Sequence, residues 1–193
     1  EAPKTSHTDN FTFDPATPVP TPPAGPGDQR EVEKRSDVLV YTGPALTQPL
    51  EVTGPITMKL FASTSAKDTD FTAKLVDVHP DGTARYIMDG IIRARYRKSL
   101  SRPELVTPGQ PAEYTIDMWA TSHVFLPGHR LRVEVSSSNF PRYDRNRNTG
   151  ENPNTDTQMM KAEQVIYHDA SRPSHIVLPI IPAGTSNASS GSR

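Results

Sequence analysis

The chain has 193 residues, a formal net charge of -1 and no cysteine, which is enough chain for one domain. The balanced charge gives no electrostatic basis for binding nucleic acid or an anionic membrane, and no apolar run approaches the ~18 residues of a membrane span. The lack of cysteine excludes disulfides, zinc–thiolate sites and cysteine nucleophiles.

The first 30 residues are rich in proline, and we predict that 1–30 form an arm or linker. Each proline disfavours helix at the residue before it, so this segment is expected to be extended. Residues 31–182 are predicted to form the folded domain, and the small polar residues 183–193 a disordered tail. The start at Glu1 has neither a methionine nor a signal-peptide pattern. We therefore expect a processed or excised piece, and the compartment is left open.

Between these ends the sequence predicts a series of short strands separated by turns. The chain contains 20 prolines, which break helices and limit strands to short segments. The predicted strands are 38–41, 55–62, 71–79, 85–96, 114–119, 130–135, 164–167 and 175–178. With no amphipathic helix among them, this pattern predicts an all-β fold, an antiparallel sandwich or barrel.

Charged side chains in two of these strands must either face water or form ion pairs. In the run Arg130–Val135 the apolar side chains are predicted to face the core, and the charged ones, including Glu134, to face water. Lys74 lies in the middle of the strand that also carries Asp70 and Asp77, and we expect this charged segment to form a cross-strand ion pair with Asp89 or Arg93.

No residue pattern for catalysis or metal binding is present. A serine hydrolase of the α/β type needs a Gly-x-Ser-x-Gly elbow, and the chain has none. The serines of 136–138 follow a strand without flanking glycines, so we expect them to end the strand and to hydrogen-bond to a loop. His123 and His129 do not have the spacing of a metal-binding motif. We predict no catalytic residue, no cofactor and no metal site.

The segment from Ser137 to Gly150 joins aromatic side chains to arginines directly after a strand. Such a long polar loop on a β-scaffold predicts a recognition or docking surface. Trp119, the only tryptophan, is a second candidate, as an interface residue or as a stacking platform for a sugar; packing is the simpler interpretation. The interface candidates in the sequence are Trp119, His123, Asn139, Phe140, Arg142, Tyr143 and Arg145.

Several motifs in fixed order give the chain a family resemblance. They are Asp14-Pro-x-x-Pro-Val-Pro-Thr, Asp28-Gln-Arg, Arg35-Ser-Asp-Val-Leu-Val-Tyr-Thr, Asp70-Phe-Thr-Ala-Lys-Leu-Val-Asp-Val, Asp89-Gly-Ile-Ile-Arg-Ala-Arg-Tyr, His123-Val-Phe-x-Pro-Gly-His-Arg-Leu-Arg, Ser137-Ser-Asn-Phe-Pro-Arg-Tyr-Asp-Arg-Asn, and Tyr167-His-Asp with Pro173-Ser-His. From Phe11 to Pro182 the chain resembles the C-terminal domain of the cocaine esterase and Xaa-Pro dipeptidyl-peptidase family.

The resemblance implies a jelly-roll β-sandwich of the galactose-binding-like type, packed in such enzymes against an α/β-hydrolase domain. The catalytic serine, aspartate and histidine of the family belong to that other domain, so no catalytic role transfers to a residue here. The resemblance thus predicts an accessory domain of a serine ester, amide or Xaa-Pro dipeptidyl hydrolase, with the catalytic domain as its partner, in cis or in trans. The alternative is a free-standing carbohydrate-binding or adhesion module of similar fold.

Overall fold

A computed structural model describes residues 8–21 and 27–182, and it consists of strands in two antiparallel sheets. The strands are β1 (Thr8–Phe13), β2 (Leu39–Thr42), β3 (Leu50–Thr64), β4 (Asp70–Val78), β5 (Ala84–Arg93), β6 (Ala112–Phe125), β7 (Arg130–Ser136), β8 (Ala162–Asp169), β9 (Arg172–Pro173), β10 (His175–Val177) and β11 (Ile180–Ile181). In the described residues, helix is limited to single 3₁₀ turns at Val32–Lys34 and Ala94–Tyr96.

The larger sheet is built around β3. Along one edge β3 pairs with β6 from end to end. Along the other edge it pairs in turn with β11, β10 and β8, and β8 pairs on its far side with β1. The smaller sheet has the strand order β2-β7-β4-β5. The predicted all-β antiparallel sandwich is confirmed, whereas its galactose-binding-like detail stays a prediction.

The apolar core lies between the two sheets. Alternate residues of each strand point inward, as the two-residue period of a strand requires. The rings of Phe71 in β4 and Tyr114 in β6 meet across the core with centroids 4.8 Å apart. Burial raises the pKa of Tyr114 to about 12, so its hydroxyl stays neutral. The large side chains that are fully buried include Phe13, Ile56, Leu60, Leu75, Ile116, Met118 and Phe125.

The outer face of the smaller sheet is covered, which corrects one prediction from the sequence. Glu134 was predicted to face water, but only 2% of its surface is exposed. Its carboxylate lies 3.5 Å from the ammonium group of Lys74, which also donates to Gln29 Oε1 at 3.0 Å. The 3₁₀ turn beginning at Val32 and the residues before it lie over this face. A strand pattern read alone cannot reveal such a cover, because it comes from a distant segment of the chain.

Part of the predicted proline-rich arm pairs with the sandwich. β1 runs antiparallel to β8, with Thr12 opposite Glu163, and the rings of Phe11 and Phe13 are buried in the core. The division of the chain at residue 30 stays a prediction, as does the tail at 183–193, which lies outside the described residues.

Candidate functional site

The segment 137–150, here called the cover loop, lies across the outer face of β4 and β5. Its first half converges on Asp89, a buried carboxylate of β5. Asn139 Nδ2 donates to Asp89 Oδ2 at 2.7 Å, while Arg142 Nε and the Tyr143 hydroxyl donate to Oδ1 at 3.0 and 3.2 Å. These three predicted interface residues are therefore brought together, with their polar groups turned inward.

The second half of the cover loop closes over two further buried carboxylates. Asn146 Nδ2 donates to Asp68 Oδ2 and to Asp70 Oδ1, each at 2.9 Å. Asp70 also accepts two hydrogen bonds from the guanidinium of Arg93, so the expected cross-strand pair to Arg93 is made by Asp70. Lys74 pairs with Glu134 instead of Asp89, which pairs with Arg142. Burial raises the pKa of Asp70, and the hydrogen bonds from Arg93 oppose that shift. The loop thus shields a charged layer from water.

The proline-rich segment lies beside the cover loop. The Thr21 amide donates to the carbonyl oxygen of Phe140 at 2.6 Å, and the Thr21 hydroxyl donates to Asn139 Oδ1 at 2.8 Å. Arg145 donates to the carbonyl oxygen of Pro15 at 3.0 Å, and its guanidinium lies 5.6 Å from the centre of the Phe140 ring. The described part of the predicted arm and the predicted docking loop therefore lie side by side on one surface.

The arginines of the cover loop are engaged within the chain. Arg142 pairs with Asp89 and lies 5.5 Å from the centre of the Tyr143 ring. Arg147 donates to the carbonyl oxygens of Pro153 and Asp156. These contacts agree with a loop whose arginines pair within the chain, and they do not favour a phosphate-binding site.

Trp119 lies in β6 with 67% of its surface exposed. Its φ of +63° places it in the left-handed region, which disfavours any residue with a Cβ atom by about 1–2 kcal/mol, and its amide donates to Asp117 Oδ1 at 2.8 Å. The local hydrogen bond offsets part of that cost and holds the indole away from the core. The simpler interpretation of Trp119 as a packing residue within this chain is therefore wrong.

The exposed indole forms one wall of an open groove of ≈ 470 Å³. Tyr143 of the cover loop, Tyr96 and Leu100 also line it, and Leu100 is 83% exposed. Large apolar side chains that are exposed together mark binding surfaces in soluble proteins. Neither Leu100 nor Tyr96 was predicted from the sequence as an interface residue, because nothing in the spacing shows that they lie beside Trp119.

His123 lies apart from this surface, at the end of the sandwich. His123 Nε2 is 3.0 Å from Asp77 Oδ2, and His129 Nδ1 is 2.9 Å from Asp77 Oδ1. A third imidazole belongs to the same cluster, with His79 Nε2 at 3.7 Å from Asp77 Oδ2. The rings of His79 and His129 are 4.4 Å apart between centroids. Of the predicted interface residues, His123 alone belongs to this second cluster.

Two of the three serines at the end of β7, Ser136 and Ser138, have structural partners. The Ser136 hydroxyl donates to the carbonyl oxygen of Asp37 at 2.6 Å, and Ser138 Oγ accepts from the amide of Val19 at 2.9 Å. Both contacts fix neighbouring segments to the end of the strand, as predicted. Within the described part of the chain, no helix is long and apolar enough to cross a membrane.

Comparison with known proteins identifies relatives over nearly the whole chain. Residues 1–177 match the model of the X-Pro dipeptidyl-peptidase C-terminal non-catalytic domain. The cocaine esterase of Rhodococcus sp. (strain MB1 Bresler) is 52% identical over 188 residues, which cover 92% of this chain and 33% of that protein.

Solved structures give the same result. An aminopeptidase from a marine sediment Thaumarchaeota archaeon matches with a TM-score of 0.85 at 34% identity, over 94% of this chain and 34% of that one. An α-amino acid ester hydrolase matches with a TM-score of 0.82 at 35% identity, over 90% of this chain and 32% of that one. The chain thus spans about a third of the length of these relatives.

Proposed function

The chain belongs to the family of X-Pro dipeptidyl-peptidase C-terminal non-catalytic domains, and we propose that it serves as the accessory domain of a larger serine hydrolase. In this proposal an α/β-hydrolase domain supplies the bond-breaking groups, and the sandwich packs against it and shapes its active-site cleft. The observation that carries the proposal is the match to one third of the Rhodococcus cocaine esterase together with an exposed aromatic groove.

The groove of Trp119 is proposed as part of the surface that contacts the catalytic domain. Tryptophan and tyrosine are enriched among the residues that contribute most to interfaces, where they fill pockets of the partner. Burying the exposed parts of Trp119 and Leu100 against another domain would remove apolar area from water, at about 25 cal/mol per Å². Arg97 and Lys98 also line the groove and would form part of its polar rim.

The cover loop is proposed to hold this surface in place. Tyr143 reaches both the groove and Asp89, so the buried carboxylate fixes one wall of the groove. A contact surface that is rigid before association loses less conformational entropy when it forms. The ester, amide and Xaa-Pro classes of substrate all remain within the proposal, because their selection would depend on the catalytic domain.

A domain exchange tests the proposal directly. The matching third of the Rhodococcus cocaine esterase is replaced by this chain, and hydrolysis of an activated ester and the melting temperature are measured. We expect an active chimera in which Trp119→Ala or Leu100→Glu lowers the melting temperature and kcat/KM. The matched control is Leu126→Ala, since Leu126 is also an exposed apolar residue but does not line the groove.

Two results would contradict the proposal. One is a chimera whose stability and kinetics do not respond to Trp119→Ala and Leu100→Glu, or respond equally to Leu126→Ala. The other is ester turnover by the isolated chain that a serine-directed inhibitor abolishes, because the proposal places the nucleophile in another domain.

The rival proposal of a carbohydrate-binding module rests on the same indole, since an exposed tryptophan beside tyrosines can stack on a sugar ring. Trp119 is the only tryptophan of the chain, so its fluorescence reports on that site alone. A saturable change in emission with a sugar would favour the rival. A flat titration across a panel of sugars would leave the hydrolase proposal in place.

A further inference from the structure

Asp77 differs from the other buried aspartates in its ion-pair partners. Asp68, Asp70 and Asp89 each pair with an arginine. Asp77 is equally buried, with 2% of its surface exposed, yet its ion-pair partners in the described residues are all histidines. Burying a carboxylate is costly unless a positive charge or a metal ion lies beside it, and a bound cation would meet that need at this position.

The donor atoms around Asp77 lie close enough together to converge on one metal ion after small side-chain adjustments. One ligand atom each from Asp77, His79 and His129 lie within 4.8 Å of one another. Zinc binds imidazole nitrogen and carboxylate oxygen at about 2.0–2.2 Å in a tetrahedron, which places neighbouring ligand atoms roughly 3.3–3.5 Å apart. His129 Nδ1 is 2.9 Å from Asp77 Oδ1 and His79 Nε2 is 3.7 Å from Asp77 Oδ2, so the two imidazoles approach different oxygens of the carboxylate at distances near that value.

The second observation is a buried imidazole nitrogen without a hydrogen-bond partner. His79 Nε2 is buried and has no hydrogen-bond partner in the described part of the chain, although it is directed toward Asp77. A buried polar atom that makes no hydrogen bond lowers the stability of the folded state, because it has lost its contacts with water. A metal ion at the centre of the cluster would bind the lone pair of His79 Nε2 and so offset this loss of stability.

We propose that Asp77, His79 and His129 form a binding site for a divalent transition-metal ion of the zinc type. Two imidazoles and one carboxylate suit such ions and leave a further coordination position for water. His123 is the positioning residue, because it hydrogen-bonds to Asp77 Oδ2 and would orient the carboxylate toward the ion.

The site lies where the two sheets meet at one end of the sandwich. Asp77 is in β4 and His79 directly follows that strand, whereas His123 is in β6 of the other sheet and His129 immediately precedes β7. A bound ion would link the end of one strand to the start of its neighbour and, through His123, to the opposite sheet. No motif in the sequence reveals the site, because the ligands come from separate segments.

Calorimetric titration of the metal-free 193-residue chain with Zn²⁺ at neutral pH tests the proposal. We expect one equivalent to bind and the melting temperature to rise. His79→Gln and His129→Gln should each abolish binding or weaken it more than 100-fold, while His123→Gln should weaken it about 10- to 100-fold, the usual effect of a residue that orients a ligand. Co²⁺ in place of Zn²⁺ should show the visible absorption of a tetrahedral or five-coordinate complex.

His175→Gln is the matched control, because His175 is exposed on β10 and lies outside the cluster. Its titration should equal that of the parent chain. His79 is partly exposed, so its replacement by glutamine is expected to preserve the fold, and circular dichroism checks this. The proposal is overturned if micromolar Zn²⁺ gives no saturable binding, if folded His79→Gln binds as tightly as the parent, or if His175→Gln weakens binding as much as His79→Gln.

Discussion

At the scale of single residues, the buried carboxyl group of Glu134 has a strongly perturbed pKa. Burial raises the pKa of Glu134 to about 7, the neighbouring Glu33 adds to this shift, and Lys74 opposes it only in part. Neither carboxylate oxygen has a hydrogen-bond partner among the described residues. The loss of hydration therefore outweighs the attraction of the ammonium group 3.5 Å away, and the folded state favours the neutral acid.

This raised pKa predicts how stability depends on pH. The folded state holds the proton of Glu134 up to a higher pH than the unfolded chain does, whose reference value is 4.5. The contribution of this group to the free energy of unfolding is thus complete below that value and is lost as the pH rises to about 7. The expected slope is at most ~1.4 kcal/mol per pH unit.

The measurement is the free energy of unfolding in urea across this pH range. Glu134→Gln should flatten the profile, because glutamine does not titrate. The control is Glu31→Gln, whose carboxylate lies on the surface beside Lys34, and it should leave the profile unchanged. An identical slope in Glu134→Gln and in the parent would show that the burial of this carboxyl is not what couples stability to pH.

Gly90 lies where β5 approaches β6 of the opposite sheet, and this close approach leaves no room for a side chain. A Cβ atom there would collide with the carbonyl oxygen of Asp117 and lie 2.9 Å from Ile116 Cγ2. We expect Gly90→Ala to lower the free energy of unfolding by about 1–3 kcal/mol or more, as overpacking does. Gly43→Ala is the matched control, since its nearest atom is 3.5 Å away, and it should change stability by less than ~0.5 kcal/mol. Equal effects in urea denaturation would contradict the close approach.

At the scale of elements, we expect the amide of Asn139 to stabilise the cover loop more than the guanidinium of Arg142 does. Asn139 is buried and donates to Asp89 at 2.7 Å, so Asn139→Ala removes a hydrogen bond to a charged group and should cost about 1.5–3 kcal/mol. Arg142 pairs with the same carboxylate, but 48% of its side chain is exposed, and Arg142→Ala should cost less than ~1 kcal/mol. Equilibrium unfolding in urea compares the two. A larger loss from Arg142→Ala would mean that the ion pair holds the loop.

The sequence predicts which side chains of a strand face the core, because the two-residue alternation is visible in consecutive residues. In β7, Val133 and Val135 pack toward the core as the alternation indicates. The burial of Glu134 could not be predicted, because its cover comes from the segment around Val32. β1 was predicted only as part of an arm, since its partner β8 lies at the opposite end of the chain.

The sequence identified several residues of the candidate site, but it did not show how their side chains are arranged. Composition singled out Asn139, Arg142 and Tyr143, and they do meet. That they meet at Asp89 depends on the pairing of β4 with β5 and on the path of the cover loop. The cluster of His79 and His129 likewise arises from tertiary folding, because neither residue lies at a metal-ligand spacing from the other.

At the scale of the whole molecule, the groove predicts a difference between the isolated chain and its complex with a catalytic domain. The chain has no cysteine, so Trp119→Cys introduces its sole thiol. We expect a maleimide to label this thiol rapidly in the isolated chain and at least ten-fold more slowly in the chimera, with peptide mass spectrometry locating the label. Val177→Cys, on an exposed position of β10, should react at similar rates in both. Equal labelling of Trp119→Cys in both would place the contact elsewhere.

The ionic layer beneath the cover loop also gives the molecule a characteristic response to heat. The hydration of ions becomes less favourable as temperature rises, so withdrawing Asp68, Asp70 and their arginines from water costs less in a warm solution than in a cold one. The contribution of the apolar core levels off over the same range. The free-energy cost of burying this layer is therefore smaller in a warm solution, and calorimetry of the chain beside a variant with apolar residues in the layer would measure that temperature dependence.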